Sequence, residues 1–180
     1  MKKLILSIIM LVSLTTFGQT NFKWEKIDSI PKTKDQIYSD TKVFIAEQWN
    51  SAKDVIQSDD KEGGIIVLKG LSQKNFAYAT VTYNYTYSYI VKFMSKDGKV
   101  KIVIDNVHCQ SMSFNGKEYP NAKIEPFDGD VCLDPVCGKP NSKFGNKAVI
   151  MMGELRAELQ GIVDSYEKYI KTTSTTKDGW

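Results

Sequence analysis

FAYATVTYNYTYSYIVKFM, residues 76–94, runs directly into SKDGKVKIVIDNV, residues 95–107, and this stretch decides the fold class. One parity of its first part holds Ala77, Ala79, Val81, Tyr83, Tyr85, Tyr87, Tyr89, Val91 and Phe93, and the other holds Thr80, Thr82, Asn84, Thr86, Ser88, Ile90 and Lys92. Aromatic and β-branched residues alternating with period two read as a strand with one buried face. Straight, it would span roughly 60 Å at about 3.3 Å per residue, whereas a domain of this size is only about 40 Å across. The strand must bend or break, and Asn84 is the expected place. Asp97-Gly98 then supplies a two-residue hairpin turn. Its register sets Phe93 against Ile102 and Val91 against Ile104, with Met94 against Lys101 and Lys92 against Val103 on the other face. One face comes out apolar and the other mixed, as in a sheet covered on one side.

Working outward, residues 54–70 read as a second hairpin, with its turn at 59–64 and its end at Gly70. Further upstream, FKWEKIDSI (22–30) alternates through Phe22 and Trp24 and shifts phase at Ile27, so a strand with an irregular end is expected. Thr33-Lys34-Asp35-Gln36 is a capping box, opening a helix to about Asn50. Downstream, Asn115-Gly116 marks another tight turn. Residues 120–146 are rich in Pro, Gly, Asn and Asp, a length without regular structure that calls for a function or a staple. A second helix is expected over 146–172, with Ala148, Met152, Leu155, Leu159, Val163, Tyr166 and Ile170 on its apolar stripe. A polar tail, 173–180, follows.

The start of the chain has the pattern of a secretory signal peptide: Lys2-Lys3, an apolar run from Leu4 to Leu14, then small residues Thr16 and Gly18 before a cut at Gln19. The expected mature protein is one domain over 19–172, periplasmic or secreted, with no membrane span. Lys2 and Lys3 leave with the leader, so the balance of 24 basic to 21 acidic residues drops by two to a net +1. That is no basis for phosphate neutralisation, and nucleic acid is excluded as a partner. In an oxidising compartment the three cysteines default to disulfides. Cys132–Cys137 within VCLDPVCG is the first expectation, and a bridge from Cys109 to either is the second.

The order strand, helix, several strands, helix matches one repeat of the TATA-binding-protein (TBP) fold. FKWEKI, EQWNSAKDVIQSDDKEGGIIVLKG and VKFMSKDGKVKIVIDNV resemble an exported bacterial family of domains of unknown function with a TBP-like fold. The resemblance covers about residues 22–107 and implies an α+β domain, a curved antiparallel sheet with two helices on one face. It implies a signal peptide and no known activity, and it transfers no catalytic residue. Fold by itself assigns no function.

No nucleophile elbow, phosphate loop or dinucleotide fingerprint occurs. His108 and Cys109 are neighbours on a strand and point to opposite faces, so they do not form a nucleophile–base pair. The spacing of His108, Cys109, Cys132 and Cys137 matches no zinc finger. Asp128-Gly129-Asp130 with Asp134 lacks the glycine and terminal glutamate of a calcium loop. No catalytic residue, metal or cofactor is therefore assigned. The candidate binding surface is the tyrosine ladder Tyr83, Tyr85, Tyr87 and Tyr89. Aromatic rows on a sheet either form a platform for a glycan or peptide or pack beneath helices, and sharing parity with Val91 and Phe93 favours packing. The leading expectation is an exported, non-catalytic binding module with a protein or glycan partner in the cell envelope. The alternatives are an envelope hydrolase with dispersed carboxylates and an assembly protein that pairs through a sheet edge.

Overall fold

A computed structural model describes residues 23–49, 51–120 and 143–175. The leader with Gly18 and Gln19, and the loop with Cys132 and Cys137, lie outside the described residues. The elements run β1 (Trp24–Ser29), α1 (Lys34–Gln48), α2 (Ala52–Val55), β2 (Ile56–Asp60), β3 (Ile65–Tyr78), β4 (Val81–Lys96), β5 (Lys99–Phe114), β6 (Lys117–Pro120) and α3 (Lys143–Thr175). All strands pair antiparallel, in the order β1-β5-β4-β3-β2, with β6 also on β5. Helices α1 and α3 pack on one face, and the sheet is curved. This is the expected α+β, TBP-like architecture, with the one-turn α2 added.

The Asp97-Gly98 hairpin adopts the expected register, Phe93 opposite Ile102 and Val91 opposite Ile104. Asn115 and Gly116 both take positive φ, 48° and 74°, as a two-residue turn between twisted strands requires. The capping box forms, with Thr33 Oγ1 accepting from Gln36 N and Gln36 Oε1 accepting from Thr33 N at 3.0 Å. A second cap arrives from far along the chain, where Asp97 Oδ1 accepts from Lys34 N at 2.7 Å.

Four expectations need correction. The long strand breaks at Ala79-Thr80, not at Asn84, and Ala79 takes φ 53° there. Bending is relegated to β5, which carries an extra residue opposite Tyr89 and another at Gln110, so its inward parity passes from Ile104 to Val107 and then to Met112. Bulges of this kind sharpen local twist. Gly70 does not end its strand, because β3 continues through it to Tyr78. The absent side chain there serves packing: a Cβ would sit 2.2 Å from the ring of Tyr89. In β1 the parity never shifts. Lys26 and Asp28 face the helices and pair with α3 through Glu167 (3.2 Å) and Lys171 (3.1 Å), while Ile27 stays 58% exposed on the opposite face. Lys171 and then Lys26 hold the Glu167 carboxyl below its usual range. The helix ends also move: α1 stops at Gln48, and α3 covers 143–175, so the first three residues of the expected tail are helical.

The core lies between the helices and the inward parity of β3, β4 and β5. Phe44 of α1, Phe93 of β4 and Tyr166 of α3 meet edge-on, with ring centroids 4.7–6.2 Å apart. Thr41 and Tyr166 share a buried hydrogen bond of 2.7 Å, and aromatic contacts of this geometry add to area burial.

Candidate functional site: the open face of the sheet

The tyrosine ladder turns toward the helices. Tyr85, Tyr87 and Tyr89 are core residues, Tyr87 fully buried, and Tyr83 is half-buried beside Phe76 and Phe114. Tyr85 and Tyr87 stack at 6.1 Å, and Tyr85 stacks on Phe76 at 6.0 Å. These rings are not an exposed platform. Burial, and secondarily the charge of Glu158, pushes the Tyr89 hydroxyl up to about 12, so it remains a donor.

Inward tyrosines send the opposite parity of the same strands outward, and there the distal half of the sheet forms a polar hollow of about 270 Å³. Register builds it. Gln73 lies opposite Thr86, and Thr86 opposite Ser111. Asn75 lies opposite Asn84, Asn84 opposite Ser113, and Ser113 opposite Glu118. Four strands thus deliver amides, hydroxyls and one carboxylate to a single surface. Asn84 Nδ2 donates a long 3.5 Å bond to Ser113 Oγ. The side chains of Gln73, Asn75, Thr86 and Glu118 have no hydrogen-bond or ion-pair partner among the described residues.

Next to the hollow, Ser88 and His108 face each other across β4 and β5. Ser88 is 1% exposed and its Oγ lies 2.9 Å from His108 Nε2. His108 Nδ1 lies 3.0 Å from Asn106 O, where the positive φ of Asn106 turns the bulged backbone. A Nδ1–H donated to that carbonyl leaves Nε2 to accept from the serine. The imidazole thereby caps the serine hydroxyl, and Cys109 lies on the inward face with its thiol donating to Ser111 O at 3.3 Å. Further along, Lys92 and Asp105 pair at 2.9 Å. Among the described residues no three His, Cys, Asp or Glu side chains gather as a metal site, and no helix is long and apolar enough to cross a membrane.

Residues 24–110 match the family described as "Domain of unknown function (DUF4468) with TBP-like fold". The chain carries a DUF4468 domain. Its fold is that of a DUF4468 family protein from Bacteroides ovatus, with a TM-score of 0.55 at 14% identity over 93% of this chain and 95% of that one. A TBP-like protein from Parabacteroides distasonis also gives 0.55, at 9% identity over 88% and 96%. At such identities these structures establish the fold alone. No curated protein matches the sequence. The matched segment of the DUF4468 domain takes in β1 through most of β5, so it includes Gln73, Asn75, Asn84 and Thr86, while Ser111, Ser113 and Glu118 fall just beyond it.

The hollow escaped sequence reading because none of its residues forms a local motif. The signal that was present is the second parity of 76–94, whose Thr82, Asn84, Thr86 and Ser88 are polar and uncharged.

Proposed function

We propose that this protein is an exported, non-catalytic binding module of the cell envelope, and that the hollow on its open sheet face takes a neutral, hydroxyl-rich partner, a glycan. One observation carries the reading: a row of uncharged donors and acceptors, supplied by three strands with Glu118 of a fourth beside them, has most of its hydrogen-bonding capacity unspent. Sugar hydroxyls both donate and accept, and amides and hydroxyls answer both roles. Strand-borne side chains are also held more rigidly than loop side chains, which lowers the ordering cost of binding. A glycoside hydrolase typically sets two carboxylates across its substrate, and Glu118 is the carboxylate among the described lining residues.

The test is calorimetric titration with fragments of envelope polysaccharide, comparing the native chain with the Asn75→Ala/Asn84→Ala variant. Saturable binding that weakens about tenfold or more in the variant, at unchanged thermal stability, supports the reading. Equal binding by both proteins, or turnover of the polysaccharide, overturns it. Sedimentation over a range of concentrations addresses the edge-pairing alternative, which requires self-association.

A further inference from the structure

The helix-covered side holds a second cleft, about 180 Å³, where the end of α1 diverges from the middle of α3. Phe44, Trp49 and Ile162 form its apolar walls, and Gln48, Tyr89 and Glu158 supply its polar groups. Its volume is about that of six waters at ~30 Å³ each, enough for one ring or branched alkyl group.

Three observations give this cleft a charge preference. Tyr89 is 97% buried, being 3% exposed, and its hydroxyl has no hydrogen-bond partner among the described residues. The hydroxyl oxygen itself is still reached by solvent within the cleft, so it is available to whatever enters. Glu158 accepts from Ser72 Oγ at 2.8 Å and from Lys74 Nζ at 2.6 Å, and both bonds fall on Oε2. Oε1 keeps its acceptor capacity, and Lys74 is committed to the other oxygen. Finally, α1 ends at Gln48 and Trp49 with no basic side chain in its last turn. The terminal carbonyls of a helix carry partial negative charge and favour a cation.

We propose that the cleft binds a small organic ammonium: a primary amine on a single aromatic or branched alkyl group. Its N–H donors go to Glu158 Oε1, the Tyr89 hydroxyl oxygen and a carbonyl at the end of α1. Its apolar part covers Phe44 and Ile162, and the Trp49 ring adds cation–π attraction. This site lies on the opposite side of the sheet from the polar hollow and is independent of the glycan reading.

The probe is 2-phenylethylammonium, titrated into the full chain and followed by amide chemical shifts. Its neutral counterpart of the same shape is 2-phenylethanol. The expected result is saturable binding that moves residues 44–49, 89 and 158–162, at least about tenfold tighter than the alcohol. Glu158→Gln should abolish that preference. Tyr89→Phe, which keeps the ring over Gly70, should weaken the amine about threefold or more, and it serves as the deciding variant if Glu158→Gln fails to fold. Equal affinity for amine and alcohol, shifts elsewhere, no saturation up to about 10 mM, or an unchanged amine affinity in Tyr89→Phe overturns the proposal.

Discussion

The two faces of β4 share one backbone and differ in nearly everything else. Inward it presents Tyr85, Tyr87, Tyr89, Val91 and Phe93, all buried beneath α1 and α3. Outward it presents Asn84, Thr86, Ser88 and Lys92, which meet solvent, a histidine or a salt partner. A period of two makes this separation, since successive side chains point to opposite faces. Large rings therefore lie where buried area is worth most, and small hydrogen-bonding groups lie on the open face. The inward face accounts for stability, and the outward face carries the hollow for which a glycan is proposed.

Breaking this division is most direct at adjacent positions. Tyr87→Ala should cost about 3–5 kcal/mol, as for other large-to-small core changes. Thr86→Ala, one residue earlier and on the open face, should stay within about 0.5 kcal/mol. Urea denaturation of both variants checks the pair, and similar losses would mean that the faces are not separate.

Next in size is Gly70→Ala. The added methyl meets Tyr89 ring atoms at 2.2–2.3 Å, and overpacking of this kind costs about 1–3 kcal/mol. Tyr89→Leu should remove part of that cost, so a double-mutant cycle should return a favourable coupling for the pair. Additive losses would place the strain elsewhere.

Alkaline titration sharpens the comparison further. The Tyr89 hydroxyl ionises at about 12 in the folded chain against 10.0 ordinarily, chiefly through burial. Between these values the folded state holds the proton that the unfolded state has released. Its contribution is therefore complete below pH 10 and is lost as pH rises toward 12, at about 1.4 kcal/mol per unit of difference. Tyr89→Phe should flatten the fall in denaturation midpoint over that window. A modest effect is expected on the open face: His108→Ala removes one partner of Ser88 Oγ and should cost about 1 kcal/mol, measured by thermal denaturation at neutral pH.

How far the sequence could be read follows the same split. The β4–β5 hairpin was legible because Asp97-Gly98 and the alternation around it demand the same register. Asn115-Gly116 and the Thr33–Gln36 cap are likewise local chemistry. The turn at Ala79-Thr80 was not, since neither residue is a turn former and tertiary pairing imposes φ 53° on Ala79. Gly70 looked like a terminator because its reason, the Tyr89 ring, comes from the neighbouring strand. The bulges fell in β5 where Asn84 of β4 had been expected to yield, and nothing local distinguishes the two. The tyrosine ladder was legible as inward from its shared parity with Val91 and Phe93. The hollow was not, because it is assembled from register across β3, β4, β5 and β6, and register beyond one hairpin is not a local property.

The bond from Lys34 N to Asp97 Oδ1 spans 63 positions of sequence and bears on the order in which the chain assembles. Hairpins close in microseconds and need only their own residues, so β4 and β5 can pair before β1 finds its place beside them. The first turn of α1, by contrast, acquires its second anchor only once the 97–98 tip exists. Helix α1 is thus completed on a template that is synthesised after it, and a chain cut before residue 97 would leave that helix start with its own capping box alone.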